Sequence, residues 1–181
     1  LDSTVLNNFL NIQSGYKVVD VGTGAGFPGV PLKILREDMN LTLIDSLNKR
    51  VVFLKELMKK IGLEADVFHG RAEELGQNIK FREKFDVAVS RAVAPLNVLC
   101  EYCLPYVKLG GYFAAFKGSD IKEEIENAKK SLQILGGKIE KCESFELPLN
   151  KGSRSIIIIK KTSNTPKTYP RFSSQISNKP L

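Results

Sequence analysis

Asp20 and the glycines that follow it are the residues best placed to do chemistry in this chain. The run Val18-Val19-Asp20-Val21-Gly22-Thr23-Gly24-Ala25-Gly26-Phe27-Pro28-Gly29 leads from a short apolar strand into a glycine turn and then a helix. Glycine accepts a positive φ and lets backbone come close to a ligand, so glycines at alternate positions can line a tight loop with N–H groups. That is a cradle for a nucleotide cofactor. Asp20, two residues before Gly22, makes the pattern D-x-G-x-G-x-G, whereas a dinucleotide fold runs an apolar strand into G-x-G-x-x-G. Gly24, Gly26 and Gly29 satisfy the second pattern too, with Asp45 about 20 residues on as a ribose ligand. The bland alternative is a turn that only connects strand to helix.

These residues need a frame that holds them together. Apolar β-branched runs alternate with longer amphipathic stretches from residue 17 to residue 160, the pattern of βαβ units and a parallel sheet covered on both faces. The expected strands are Lys17 to Val21, Leu41 to Asp45, Ala65 to His69, Phe85 to Ser90, Tyr112 to Lys117, Lys138 to Leu147 and Arg154 to Lys161, seven in all. Helices are expected near 28 to 37, 48 to 61, 95 to 105 and 120 to 135. The connection Pro148 to Ser153 is too short for a crossover helix, so the last two strands should form an antiparallel hairpin. The fold class is therefore α/β, a doubly wound, seven-stranded, mostly parallel sheet with an antiparallel terminal hairpin. Beyond Thr162, Ser, Thr, Asn, Pro and Lys dominate, and that segment is expected to be extended or disordered in isolation. The organisation that follows is a catalytic domain over 1–161 and a basic, extended tail over 162–181.

Ligands of open α/β sheets bind outside the carboxyl ends of the strands, at the point where strand order reverses. The residues just after each expected strand form a set. The first strand delivers the glycine loop, and the second ends at Asp45, whose carboxylate can accept ribose hydroxyls or serve the helix that follows. The third is followed by Gly70-Arg71-Ala72-Glu73-Glu74, which can read an adenine edge or form an acidic first helical turn. The fourth ends in Ser90-Arg91-Ala92 and the fifth in Lys117-Gly118. Two cations aimed at one cleft call for something negative, a cofactor carboxylate or a nucleic-acid phosphate, with surface ion pairing the alternative for Lys117.

Composition excludes several classes. At 181 residues and 43% hydrophobic, the chain holds one well-buried domain and not a cofactor domain plus a separate substrate domain. No run of about 18 apolar residues occurs and no secretory signal opens the chain, so a cytoplasmic location without membrane contact is expected. A monomer is expected as well. The 3 cysteines do not make a disulfide framework. Cys100 and Cys103 lack two further ligands at zinc spacing and read as helix core, so no metal is expected. His69, the one histidine, reads as structural. The net charge of +7 is uneven: residues 151–181 carry Lys151, Arg154, Lys160, Lys161, Lys167, Arg171 and Lys179 and no Asp or Glu. A cationic arm on a balanced body suits a polyanion, and Tyr169 and Phe172 among its charges could stack on bases.

The Asp20 to Gly29 loop, the block Leu43-Ile44-Asp45-Ser46-Leu47-Asn48-Lys49-Arg50, Arg71-Ala72-Glu73-Glu74 and Ser90-Arg91-Ala92 occur in order. In these motifs the chain resembles the bacterial small-subunit ribosomal RNA methyltransferase G family, also called glucose-inhibited division protein B. The resemblance covers residues 17 to 161. Tyr169-Pro170-Arg171 and Lys179-Pro180-Leu181 resemble the family's basic C-terminal tail, although Phe172-Ser173-Ser174 departs from its usual Lys, Ala and Gly. Leu1-Asp2-Ser3 resembles the end of a helical N-terminal region that is otherwise missing, so the chain reads as shortened. The resemblance implies a class I, Rossmann-like methyltransferase fold, S-adenosylmethionine as methyl donor, and N7-methylation of one guanine in 16S ribosomal RNA, naked or in the small subunit. It places Gly22, Phe27, Ala72, Glu73 and Arg91 on cofactor-contacting positions, to which the loop and strand arguments add Asp20, Gly24 and Asp45. Arg91 is expected to hold donor or substrate phosphate, with Lys117 beside it as a positioning residue at the reaction. Lys117, Arg154 and Arg171 are expected to position RNA. The rival readings are an NAD-binding redox domain and a non-catalytic RNA-binding module on the same fold.

Overall fold

The computed structural model describes residues 2–91, 94–147 and 152–181. Among these residues seven strands form one sheet: β1 (Lys17–Val21), β2 (Asn40–Asp45), β3 (Asp66–His69), β4 (Phe85–Arg91), β5 (Val107–Lys117), β6 (Gly137–Glu146) and β7 (Ser153–Lys161). Their order is β3-β2-β1-β4-β5-β7-β6. The first five run parallel, while β7 lies antiparallel between β5 and β6. The expected α/β class and terminal hairpin are therefore present. Most of the connection between β6 and β7, residues 148–151 including Lys151, lies outside the described residues, as do Ala92 and Val93.

Side chains that alternate along the central strands feed two separate cores, which is why β1, β2, β4 and β7 carry continuous apolar runs, while the edge strands β3 and β6 stay largely exposed. Val19, Ala88, Phe113, Ile157 and Ile159 point into one core, while Val18, Val87, Val89, Ala114, Ile156 and Ile158 point into the other. The second core is closed by α1 (Leu6–Phe9), α2 (Gly29–Leu35) and α3 (Asn48–Ile61), through Leu6, Val30, Leu32, Leu54 and Met58. The first is closed by α5 (Leu96–Cys103) and α6 (Lys122–Leu135), with α4 (Ala72–Gln77) packed at its edge. In α3, Val51, Leu54 and Met58 are buried at helical spacing, and the helix stops at Gly62 in the left-handed region (φ 72°).

The short elements escape the periodicity argument. α4 spans six residues, too few for a hydrophobic stripe, and the 3-10 turn Asp2–Val5 that leads into α1 is shorter still. The tail is the larger difference. Instead of an extended arm, residues 162–181 fold back over α4 and α5 and end in α7 (Ser173–Asn178), with Thr165, Pro170 and Ile176 buried. Composition missed this because the contacts are made by single residues separated by exposed polar ones. Among the described residues no helix is long and apolar enough to cross a membrane.

Candidate cofactor site and cation cluster

Chain order leaves β1 outward to β2 and β3, then crosses to β4 on the other side of β1. The carboxyl ends of β1 and β4 therefore open a crevice, and the predicted residues gather at it. Asp20 is fully buried beneath the glycine loop, where its Oδ2 accepts from Thr23 Oγ1 at 2.7 Å and from the Gly29 amide at 2.8 Å. Gly29 permits this because a Cβ there would lie 2.8 Å from Asp20 Oδ2 and 2.9 Å from Leu43 Cδ2. Burial raises the Asp20 carboxyl to about 7, against the hydrogen bonds from Thr23 and Gly29 and the nearby charge of Arg91, which favour the carboxylate. Its Oδ1 is buried without a hydrogen-bond partner among the described residues. A loose polar atom of that kind suits a site that a ligand or water completes.

Asp45 ends β2 and ties the loop to it. Its Oδ2 accepts from the Gly24 amide at 2.9 Å and from Arg50 Nη1 at 3.3 Å, and its Oδ1 accepts from the Leu47 amide at 2.9 Å. The Leu47 bond steadies the entry to α3, whose N-terminal cap position is Leu47 rather than Asp45. With about four lone-pair sites on a carboxylate, these bonds leave room for a ribose hydroxyl, and the half-exposed Arg50 can give up another.

A cavity of about 210 Å³ lies beside Asp45, lined by Gly22, Ser46, Gly70, Arg71, Ala72, Glu73, Ser90, Tyr102 and Ser173 among others. Tyr106 donates to the Ala72 carbonyl at 2.6 Å and so sets the turn at which Ala72 and Glu73 enter the cavity wall. Ser90 donates to the Val21 carbonyl at 2.9 Å, closing the floor between β4 and β1. At this volume the cavity takes one end of a nucleotide cofactor rather than all of it, ordinary ligand pockets running from about 300 Å³ upward. Arg91 stands at the end of β4 with its guanidinium 4.8 Å from the centre of the Phe27 ring. Phe27 and Arg91, 64 residues apart in the chain, thus form one cation–π contact on the rim. The structure brings Asp20, Gly22, Gly24, Phe27, Asp45, Ala72, Glu73 and Arg91 to this one edge of the sheet.

Two expected RNA contacts need correction. Lys117 is not presented to a partner: its ammonium bonds Glu124 at 2.6 Å and the Ala94 carbonyl at 2.9 Å, with the side chain 8% exposed. Desolvation leaves such a cation to its internal acid, so Lys117 anchors the segment after β4 to α6. Arg171 is likewise committed, gripping Glu101 through Nε at 2.8 Å and Nη2 at 2.6 Å. Tyr169 is half-buried against the core, while Phe172 stays 77% exposed. Arg154 lies at the carboxyl edge on β7, partly exposed. Cys100 and Cys103 are both buried in α5, and burial pushes the Cys100 thiol up to about 12. His69 Nε2 lies 3.0 Å from the Ser46 carbonyl.

Sequence reasoning missed Tyr102, Tyr106, Glu101 and Ser173. Only Glu101 carried a signal, as a lone acid in the apolar helix Leu96–Cys103.

The sheet order and the crevice residues define an α/β fold of the methyltransferase kind. Solved structures of similar shape include an S-adenosylmethionine-dependent O-methyltransferase from Thermotoga maritima (TM-score 0.64, 16% identity, 91% of this chain and 66% of that one) and a methyltransferase from Pyrococcus furiosus (TM-score 0.65, 18% identity, 87% and 80%). At such identities the likeness is one of fold. The family model described as rRNA small subunit methyltransferase G (GidB) matches residues 1–157, and the chain belongs to that family. A relative named ribosomal RNA small subunit methyltransferase G, from Clostridium novyi (strain NT), is 48% identical over 182 residues, covering 100% of this chain and 75% of its own length.

Proposed function

We propose that this chain is a cytoplasmic, monomeric enzyme that transfers the methyl group of S-adenosylmethionine to N7 of a guanine in 16S ribosomal RNA. The observation that carries the reading is the meeting of the Asp20–Gly29 loop, Asp45, Ala72-Glu73 and Arg91 at one crevice in a chain of this family. The residues fit the cofactor. Asp45 and the cavity beside it suit an adenosine, and the Oδ1 of Asp20, without a partner among the described residues, suits a cationic amino group.

When bound, S-adenosylmethionine supplies an electrophilic methyl on a sulfonium. Guanine N7 has a free lone pair and no proton, so the protein's task is alignment, not acid–base chemistry. The crevice is equipped for that task. Asp20 and Asp45 fix the glycine loop from below and from the side through backbone N–H groups, which pre-sets the cradle before anything enters. Arg91 and Phe27 give the rim a cationic and an aromatic face, suited to phosphate and to a base. RNA then approaches the carboxyl edge, where Arg154 is partly exposed and Phe172 offers a stacking surface beside the cavity.

The test is incubation with methyl-labelled S-adenosylmethionine and unmodified small subunits or their RNA, followed by digestion to nucleosides and mass spectrometry. Label in 7-methylguanosine is expected. Label in another nucleoside refutes the N7 assignment, and cofactor binding with RNA affinity but no transfer favours the non-catalytic module.

A further inference from the structure

The cavity has one wall that the α/β core does not supply. Ser173 lines it together with Tyr102 of α5 and Ala72 and Glu73 of α4, yet Ser173 belongs to the segment beyond β7, outside the stretch that the family model matches. That segment is held on both helices flanking the cavity. On the α4 side, Gln77 donates to the Pro170 carbonyl at 2.9 Å, and Pro170 rests on Gly76, where a Cβ would come within 3.2 Å of it. The Arg82 fork, just past α4, donates to the carbonyls of Thr165 and Tyr169, each at 2.7 Å. On the α5 side, Glu101 accepts from the backbone amide of Arg171 at 2.9 Å as well as from its guanidinium.

Glu101 is 1% exposed. A carboxylate buried that deeply is costly to desolvate unless it is paired, and among the described residues its hydrogen-bond partner is Arg171, from the tail. A solvated tail would have no use for such a socket. Its place is informative: Glu101 precedes Tyr102, a cavity-lining residue, and Arg171 stands two residues before Ser173, another. The pair therefore registers the tail against the cavity. If Asp45 and Ser46 at the end of β2 take the ribose, as the cofactor reading has it, the wall shared by Ala72, Glu73, Tyr102 and Ser173 faces the purine.

We propose that the C-terminal segment 165–181 is a built part of the adenosine end of the cofactor site, with Ser173 contacting the purine and the Glu101–Arg171 pair positioning it. This rests on the cofactor reading above. A serine hydroxyl both donates and accepts, so it can meet the amino group or a ring nitrogen of adenine. Whatever affinity the seated segment adds to cofactor binding, bound cofactor returns to the seating of the segment by the same factor.

The experiment uses the whole chain. S-adenosylmethionine and adenosine are titrated calorimetrically into the unmodified protein, Ser173→Trp and Glu101→Gln, and amide exchange over 165–181 is followed with and without saturating S-adenosylmethionine. Ser173 is partly exposed, so the tryptophan fills the cavity without entering a core. Its affinity for both ligands should fall roughly tenfold or more, a difference of about 1.4 kcal/mol. Saturating cofactor should slow exchange in 172–178, and Glu101→Gln should speed exchange in the free protein and weaken both ligands together. Cofactor binding that is unchanged in both variants, or exchange in the tail that ignores the cofactor, overturns the inference while leaving the cofactor reading intact. Failure of the unmodified chain to bind S-adenosylmethionine refutes that reading and the inference with it.

Discussion

Replacing Gly29 by alanine tests how closely the glycine loop is fitted to Asp20. The new Cβ would stand 2.8 Å from Asp20 Oδ2, 2.9 Å from Leu43 Cδ2 and 3.0 Å from Asp20 Cβ. Asp20 and Leu43 are both fully buried, so neither has solvent to move into. Overpacking of one methyl in such a place costs about 1–3 kcal/mol. Pulling the Gly29 amide off a buried carboxylate adds about 1–3 kcal/mol for the bond left unmade. The expected loss is therefore about 2–6 kcal/mol, which for a chain of this size lowers Tm by roughly 4–24 °C. Gly24→Ala is the comparison, since a Cβ there meets nothing within 4 Å and faces only its φ of +62°. Backbone strain of that kind is worth about 1 kcal/mol. Thermal unfolding by circular dichroism should rank Gly29→Ala well below Gly24→Ala, with both below the unmodified chain. A Gly29→Ala protein that melts within about 2 °C of the unmodified chain, a shift worth no more than about 1 kcal/mol, would refute the close-fit argument.

Asp20 also predicts a pH dependence. With its carboxyl raised by burial from 3.8 to about 7, the folded chain holds a proton that the unfolded chain has released, so its contribution to stability is full below the unfolded value and falls as pH rises toward 7. Urea unfolding at pH 5 and pH 7 should show a smaller loss across that window in Asp20→Asn than in the unmodified chain. Arg91→Ala removes the cation stacked on Phe27 and one of the charges favouring the Asp20 carboxylate, so Asp20 should titrate higher. Cofactor affinity, measured by calorimetry, should fall roughly tenfold or more, the loss of about one charge-assisted bond; near-unmodified affinity and turnover would dismiss Arg91 from the site. Lys117→Met strips Glu124 and the Ala94 carbonyl of their donor and should lower stability by about 1–3 kcal/mol in urea unfolding. The salt dependence of RNA binding should stay as it was, and a shallower slope would restore Lys117 to the RNA face.

Strand existence was legible because β1, β2, β4 and β7 carry buried apolar runs, and the hairpin because the link between β6 and β7 is too short for a crossover helix, local signals that survive without partners. The loop chemistry was legible for a related reason. Asp20, Gly29 and Asp45 can act as they do only with those residue types at those separations along one strand–turn–helix–strand unit. Both ends of that unit are set by short-range geometry, so pattern carried them.

Lys117 and Arg171 were misread because a cation's role depends on which acid the fold delivers to it. Glu124 lies on the helix after Lys117's strand, and Glu101 lies 70 residues before Arg171 in the chain. The tail's seat had the same character, built from Gln77, Arg82 and Glu101 meeting backbone carbonyls and one guanidinium of a polar segment. Local sequence thus determined the sheet, the glycine cradle and the acids beneath and beside it. Tertiary structure decided which charges were already spent, and placed Tyr102 and Ser173 in the cavity wall. The physical reason is range: periodicity and turn chemistry act over a few residues, whereas burial and charge pairing are settled only when distant segments meet.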